Sequence, residues 1–208
     1  LLAITAMEPP AKFDKDGFRN EVIKVYQSLH PLTDEYIREN VIRGQYVAGE
    51  TQAGYREEKN VNPDSRTDTY VAMCLKIDNW RWQGVPFYIR TGKQMPTKVT
   101  EIVVHLQRIA MKAPGSGFYM GTMEMDYSYD RNAQETGDAY VRLLEDSLAG
   151  DPTLFTRSDA VEESWTYFDK ILDYWKKYPE TPLYGYPAGT WGPKEADVLI
   201  ERSHAEWT

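Results

Sequence analysis

The chain has 208 residues, 41% of them hydrophobic and 27% charged, with a formal net charge of -8. This is globular composition, long enough for one large domain or at most two small ones, and it excludes a disordered chain. The acidic balance excludes broad attraction to nucleic acid or to an anionic membrane, so any anion site has to be local.

LLAITAMEPP opens on an apolar segment without a cap and stops at Pro9–Pro10, which reads as the last turns of a helix that begins earlier. Phe18, Val22, Tyr26 and Leu29 recur at helical spacing before Pro31, predicting an amphipathic helix from about Asp16 to His30. A short helix is expected near Asp34–Asn40, a strand near Val41–Val47 and a polar loop from Gly49 to Ser65. In Thr69–Asp78, Val71, Met73, Leu75 and Ile77 alternate with Tyr70, Ala72, Cys74 and Lys76, the period of a strand. Asp78–Gly84 turns the chain into a strand at Val85–Arg90, and Thr100–Gln107, rich in β-branched residues, is expected as a third. Short connections favour antiparallel hairpins. A Gly/Pro/Ser loop at Ala113–Gly117 leads to a further expected strand near Thr122–Tyr129.

The last third turns helical. Asp138 is expected to cap a helix holding Val141, Leu144 and Leu148, stopped by Gly150. Asp159 with Glu162 predicts a capping box on a second, with Trp165, Phe168, Leu172 and Trp175 on one face. Gly192–Pro193 opens a third that runs to about Arg202. A helix, a block of strands and then helices is the α+β pattern, not alternating βαβ.

The chemistry is sparse. The one cysteine, Cys74, excludes an internal disulfide, and no CxxC offers a zinc site. The lone cysteine and the lack of an Asn-x-Ser/Thr sequon fit a reducing cytoplasm, the expected compartment, and neither a membrane-length apolar run nor a signal peptide is visible. His30, His105 and His204 each lack a second ligand at metal spacing. No GxSxG, Walker A or GxGxxG occurs. Trp80 and Trp82 could form a sugar platform, or fill the core or an interface. What stands out is FYIRTGKQMPTK, residues 87–98, with Arg90, Lys93 and Lys98 around Gly92. Gly92 lets the backbone turn and Pro96 stiffens it. Two ammonium groups five residues apart across such a turn can converge on a phosphate or on sugar hydroxyls. Read alone, these residues fit a binding or assembly domain.

The string IDNWRWQGVPFYIRTGK, residues 77–93, resembles the signature of the C-terminal domain of the glucose-6-phosphate dehydrogenase family. So do RGQY (43–46), GYREE (54–58), SRTDTYVA (65–72), DAYVRLLEDSLAGDPTLFTRSDAVEESW (138–165) and PAGTWGPKEAD (187–197), in family order. The pattern is that of a bacterial-type member. The resemblance implies an α+β domain over residues 1–208, a large, mostly antiparallel sheet with helices packed on it, which also carries a homodimer or tetramer interface. It implies glucose 6-phosphate as substrate and NADP as coenzyme, the latter bound by an N-terminal Rossmann domain. Lys93 and Lys98 match the family's substrate-contacting lysines, and Arg90 is assigned to structure.

Several features depart from that pattern. The catalytic segment R-I-D-H-Y-x-G-K-E and the coenzyme fingerprint are absent, so no catalytic or cofactor-binding residue is assigned and the chain alone is expected to be inactive. Near His105–Met111 the family has a few tens more residues, so either a true deletion or a disordered loop missing from this sequence is expected, with the splice around Gln107–Arg108. Val99 and Val103 replace basic residues of a second, structural NADP site, so none is expected here. A non-catalytic assembly protein of the same fold is the alternative.

Overall fold

The computed structural model of the chain describes residues 1–12, 14–104, 139–153, 155–202 and 207. The chain divides into two compact units, Leu1–Lys98 with Pro152–Thr208, and Val99–Asp151.

In the first unit, three helices precede the sheet: α1 (Leu2–Ala6), α2 (Lys15–Gln27) and α3 (Asp34–Asn40). Side chains start the second and third. The Asp14 carboxylate accepts from the Gly17 N–H at 2.7 Å, and the Thr33 hydroxyl accepts from the Tyr36 N–H at 3.1 Å. Strand β1 (Val41–Val47) follows, then β2 (Tyr70–Lys76) and β3 (Pro86–Gly92). After α5 (Ser158–Lys177), β4 (Tyr184–Pro187) returns to the sheet before α6 (Asp197–Glu201). The sheet order is β3-β2-β1-β4. The β1–β2 and β2–β3 pairs are antiparallel, and β4 lies parallel to β1 with Tyr186 opposite Tyr46.

Both faces of this sheet are buried. Met73, Leu75 and Ile77 point into a core with Ala3, Ala6, Val25, Leu29, Ile37, Tyr167, Ile171 and Tyr174. Tyr70 and Ala72 point the other way, against Tyr46, Tyr186, Ala188, Ala196 and Leu199. Each large apolar side chain so buried contributes about 1.5–3 kcal/mol. The alternation read in Thr69–Asp78 is thus a division between two cores, and the mostly antiparallel α+β architecture holds.

A buried polar row on β1 ties the loops to the sheet. Arg43 donates to the carbonyls of Thr181 (2.8 Å) and Pro182 (3.3 Å) and to Asp68 (3.3 Å), with its guanidinium over the Trp175 ring. Burial lowers the pKa of Arg43 and raises that of Asp68, and each shift is opposed by the partner's charge. Gln45 donates to the carbonyls of Ser65 and Thr67 and accepts from Arg56.

Several expectations are corrected. Helix α2 ends at Gln27, not His30, because Leu29 bridges to Ile77 and the His30 N–H bonds to the Lys76 carbonyl. No strand forms over residues 100–104, where Ile102, Val103 and Val104 are exposed; β propensity needs a ladder partner, and none is found among the described residues. Residues 105–107, the Ala113–Gly117 loop, the expected strand near Thr122–Tyr129 and the Asp138 cap lie outside the described residues.

Helix α5 has no capping box. The Asp159 carboxylate instead accepts from Arg157 and from the Ala160 N–H. Its buried side is Ala160, Tyr167, Ile171 and Tyr174, while Trp165 is 60% exposed. Tyr167 buries its ring with its hydroxyl donating to the His30 carbonyl at 2.7 Å. Pro193 precedes a 3-10 turn, Lys194–Ala196, and only then α6.

In the second unit, α4 (Ala139–Ala149) is the helix expected there. Gly150, in the left-handed region at φ +68, closes it, and the Asp151 N–H bonds back to the Asp146 carbonyl at 2.8 Å.

Candidate functional site

Among the described strands β3 lies at an edge of the sheet, and its end carries the cationic turn. Gly92 stands opposite Tyr70, and the Lys93 N–H extends the ladder by bonding to the Thr69 carbonyl at 2.8 Å. The chain then bends. Gln94 takes a left-handed φ of +50, and its carbonyl accepts from the Gly189 N–H at 2.8 Å. Tyr186 on β4 is fully buried, and its hydroxyl donates to the Lys93 carbonyl at 2.7 Å. The backbone of Lys93 is therefore held on both sides of its Cα.

Two glycines grip the Tyr70 ring. A Cβ on Gly92 would lie 2.7 Å from its Cδ2, and one on Gly192 would lie 2.4 Å from its Cε2. Gly192 is also at φ +119, where side chains are disfavoured. Burial pushes the Tyr70 phenol up to about 12, so it stays neutral. Arg90 lies between two indoles, 4.9 Å from the centroids of Trp191 and of Trp207. That placement supports its assignment to structure.

Lys93 and Lys98 are both exposed, and among the described residues neither ammonium has a hydrogen bond or an ion pair. A rigid backbone carrying unpaired, solvated cations can receive an anion without first breaking an internal salt bridge. Trp80 and Trp82 do not form a shared platform. Trp80 is fully exposed, whereas Trp82 packs edge-on against Phe87 and donates to the Ala6 carbonyl at 2.8 Å. His30 is a structural joint that bonds to Asp78 at 2.8 Å. His105 and His204 lie outside the described residues. No cluster that could hold a metal ion occurs among the described residues. Nor is any described helix long and apolar enough to cross a membrane. Sequence reading missed Thr69, Tyr186 and Gly189, whose partners lie 24 to 95 residues away in the chain.

The fold and turn define a class: an α+β domain that presents cations from the end of a sheet strand. The family model "Glucose-6-phosphate dehydrogenase, C-terminal domain" matches residues 1–112 and 106–208, and the chain belongs to that family. It is similar to the glucose-6-phosphate 1-dehydrogenase of Aggregatibacter actinomycetemcomitans, 43% identical over 240 residues, covering all of this chain and 48% of that protein. Among solved structures, a glucose-6-phosphate dehydrogenase in complex with its substrate glucose-6-phosphate superposes with a TM-score of 0.75 at 25% identity. The glucose-6-phosphate 1-dehydrogenase of Mycobacterium avium does so with 0.72 at 31%. Each match covers all of this chain and 48% of the other. The chain thus spans about half the length of the relatives it matches. The family match breaks at 106–112, and the 240-residue alignment is longer than the 208-residue chain. The segment where the two family matches meet includes Gln107–Arg108.

Proposed function

We propose that this chain is the substrate-binding and dimerisation domain of a glucose-6-phosphate dehydrogenase. The full enzyme oxidises D-glucose 6-phosphate at C1 to 6-phospho-D-glucono-1,5-lactone, with hydride passing to NADP+. In this reading Lys93 and Lys98 contact the sugar phosphate, and their ammonium groups neutralise its charge as hydrogen-bond donors. The observation that carries it is the Lys93 backbone, bonded at both its N–H and its C=O while its ammonium has no partner among the described residues.

The glycine-rich coenzyme fingerprint does not occur in the 208 residues. NADP+ is accordingly assigned to the remainder of the enzyme, and no step is routed through it here. The enzyme is a cytoplasmic homodimer, or a tetramer, assembled through the sheet.

The test is Lys93→Ala with Lys98→Ala in the full-length enzyme that carries this domain. Each lost charged hydrogen bond is worth roughly 1.5–3 kcal/mol, so the KM for glucose 6-phosphate rises about tenfold or more per lysine. The KM for NADP+ stays where it is. An unchanged KM for the sugar phosphate refutes the assignment of both lysines.

A further inference from the structure

The phenol of Tyr186 lies on β4, remote in sequence from the turn, yet its oxygen is 2.7 Å from the Lys93 carbonyl. The ring is fully buried, packed 5.3 Å from the Tyr70 centroid and 6.4 Å from that of Tyr46. A phenol has one proton to give, and the shortest acceptor distance is to Lys93; the Thr69 carbonyl stands at 3.2 Å. On its other side Tyr186 meets the Thr69 hydroxyl at 3.3 Å. That hydroxyl already accepts from the Tyr46 N–H at 2.9 Å, so its own proton is free to point at Tyr186. The bonds run in one direction: Tyr46 N–H to Thr69 Oγ1, Thr69 O–H to Tyr186 Oη, Tyr186 O–H to Lys93 C=O.

We propose that Tyr186, oriented by Thr69, is a positioning residue that sets the direction in which Lys93 reaches its anion. This rests on the reading of Lys93 as a substrate contact. Three bonds constrain the start of a side chain that is otherwise free to swing: Thr69 C=O on the Lys93 N–H, Tyr186 on the Lys93 C=O, and the Gly189 N–H on the next carbonyl. Each rotamer-rich side chain immobilised on binding reduces affinity, and a backbone already fixed limits that loss. Burial raises the Tyr186 phenol above its ordinary value, so the donor proton is retained throughout the physiological range.

The experiment uses the full-length enzyme and four variants: Tyr186→Phe, Thr69→Val, Thr69→Ser and Lys93→Ala, with Tyr186→Phe also combined with Lys93→Ala. Tyr186→Phe keeps the ring packing and removes only the hydroxyl. It raises the KM for glucose 6-phosphate about fivefold, the size of one neutral hydrogen bond, and leaves kcat and the KM for NADP+ unchanged. Thr69→Val acts in the same direction, Thr69→Ser restores the parent value, and the Tyr186→Phe effect disappears when Lys93 is already Ala. If Tyr186→Phe does not fold, the Thr69 pair decides the matter by the same readout. An unchanged KM in Tyr186→Phe or Thr69→Val, or an equal rise with and without Lys93, overturns the positioning role while leaving Lys93 as a contact. A Lys93→Ala enzyme with unaltered KM overturns the reading of Lys93 itself, and this inference with it.

Discussion

Two glycines of one loop allow backbone strain to be separated from crowding. Gly189 and Gly192 both have positive φ, +89 and +119. A Cβ on Gly189 would meet nothing within 4 Å, whereas one on Gly192 would lie 2.4, 2.5 and 2.8 Å from Cε2, Cζ and Oη of Tyr70. Gly189→Ala therefore bears only the backbone term, about 1–2 kcal/mol for an alanine at positive φ. Gly192→Ala bears a similar term plus overpacking against a buried ring, about 1–3 kcal/mol more. Tyr70 cannot retreat, because Gly92 closes its other side and Tyr186 packs upon it. Urea unfolding followed by far-ultraviolet circular dichroism measures both losses in the same background. A third variant supplies the control: with Tyr70→Ala already in place, the extra loss from Gly192→Ala disappears, as expected of contacting residues in a double-mutant cycle. Equal losses for the two glycines, or an extra loss that persists without the Tyr70 ring, would refute the account of a ring held between two glycines.

Other outcomes follow from the same geometry. Arg43→Ala leaves Asp68 and the carbonyls of Thr181 and Pro182 without their donor, and the expected loss is about 3 kcal/mol by chemical denaturation. Arg43→Lys recovers only part of it, since one ammonium cannot reproduce the fork over Trp175. At acid pH, Glu8 is the group to remove. The hydrogen bond from Arg81 holds its carboxyl below the ordinary value of 4.5, so the folded state releases that proton more readily than the unfolded one. The resulting stabilisation is complete above pH 4.5 and is lost as the pH falls through the folded value. Glu8→Gln accordingly lowers the melting temperature at pH 7 but not at the acid end, where the two proteins converge; a constant difference at every pH contradicts this. The lysine and Tyr186 variants address the site itself.

Local rules were enough for much of this molecule. Helix α3, strand β1 and the alternation in β2 are legible because each depends on its own residues: the Thr33 cap, the period of two and the flanking turn signals. The cationic turn was legible too, since Arg90, Lys93 and Lys98 surround a glycine in an acidic chain. What tertiary structure alone decided is what makes that turn rigid. Tyr186 sits in YGYP, a strand of four residues with no readable period, and it pairs in parallel with β1 after nearly 140 intervening residues. Its hydrogen bond to Lys93 spans 93 positions. The face of α5 was legible only in part: Phe168 and Trp175 pack against the core, but its buried centre is Tyr167, Ile171 and Tyr174, and the Tyr167 hydroxyl finds its acceptor on the distant His30 carbonyl. Propensity and periodicity report what a segment does with its immediate neighbours. Which carbonyl a distant phenol reaches depends on how the strands are ordered in the sheet, and that order is a property of the whole chain.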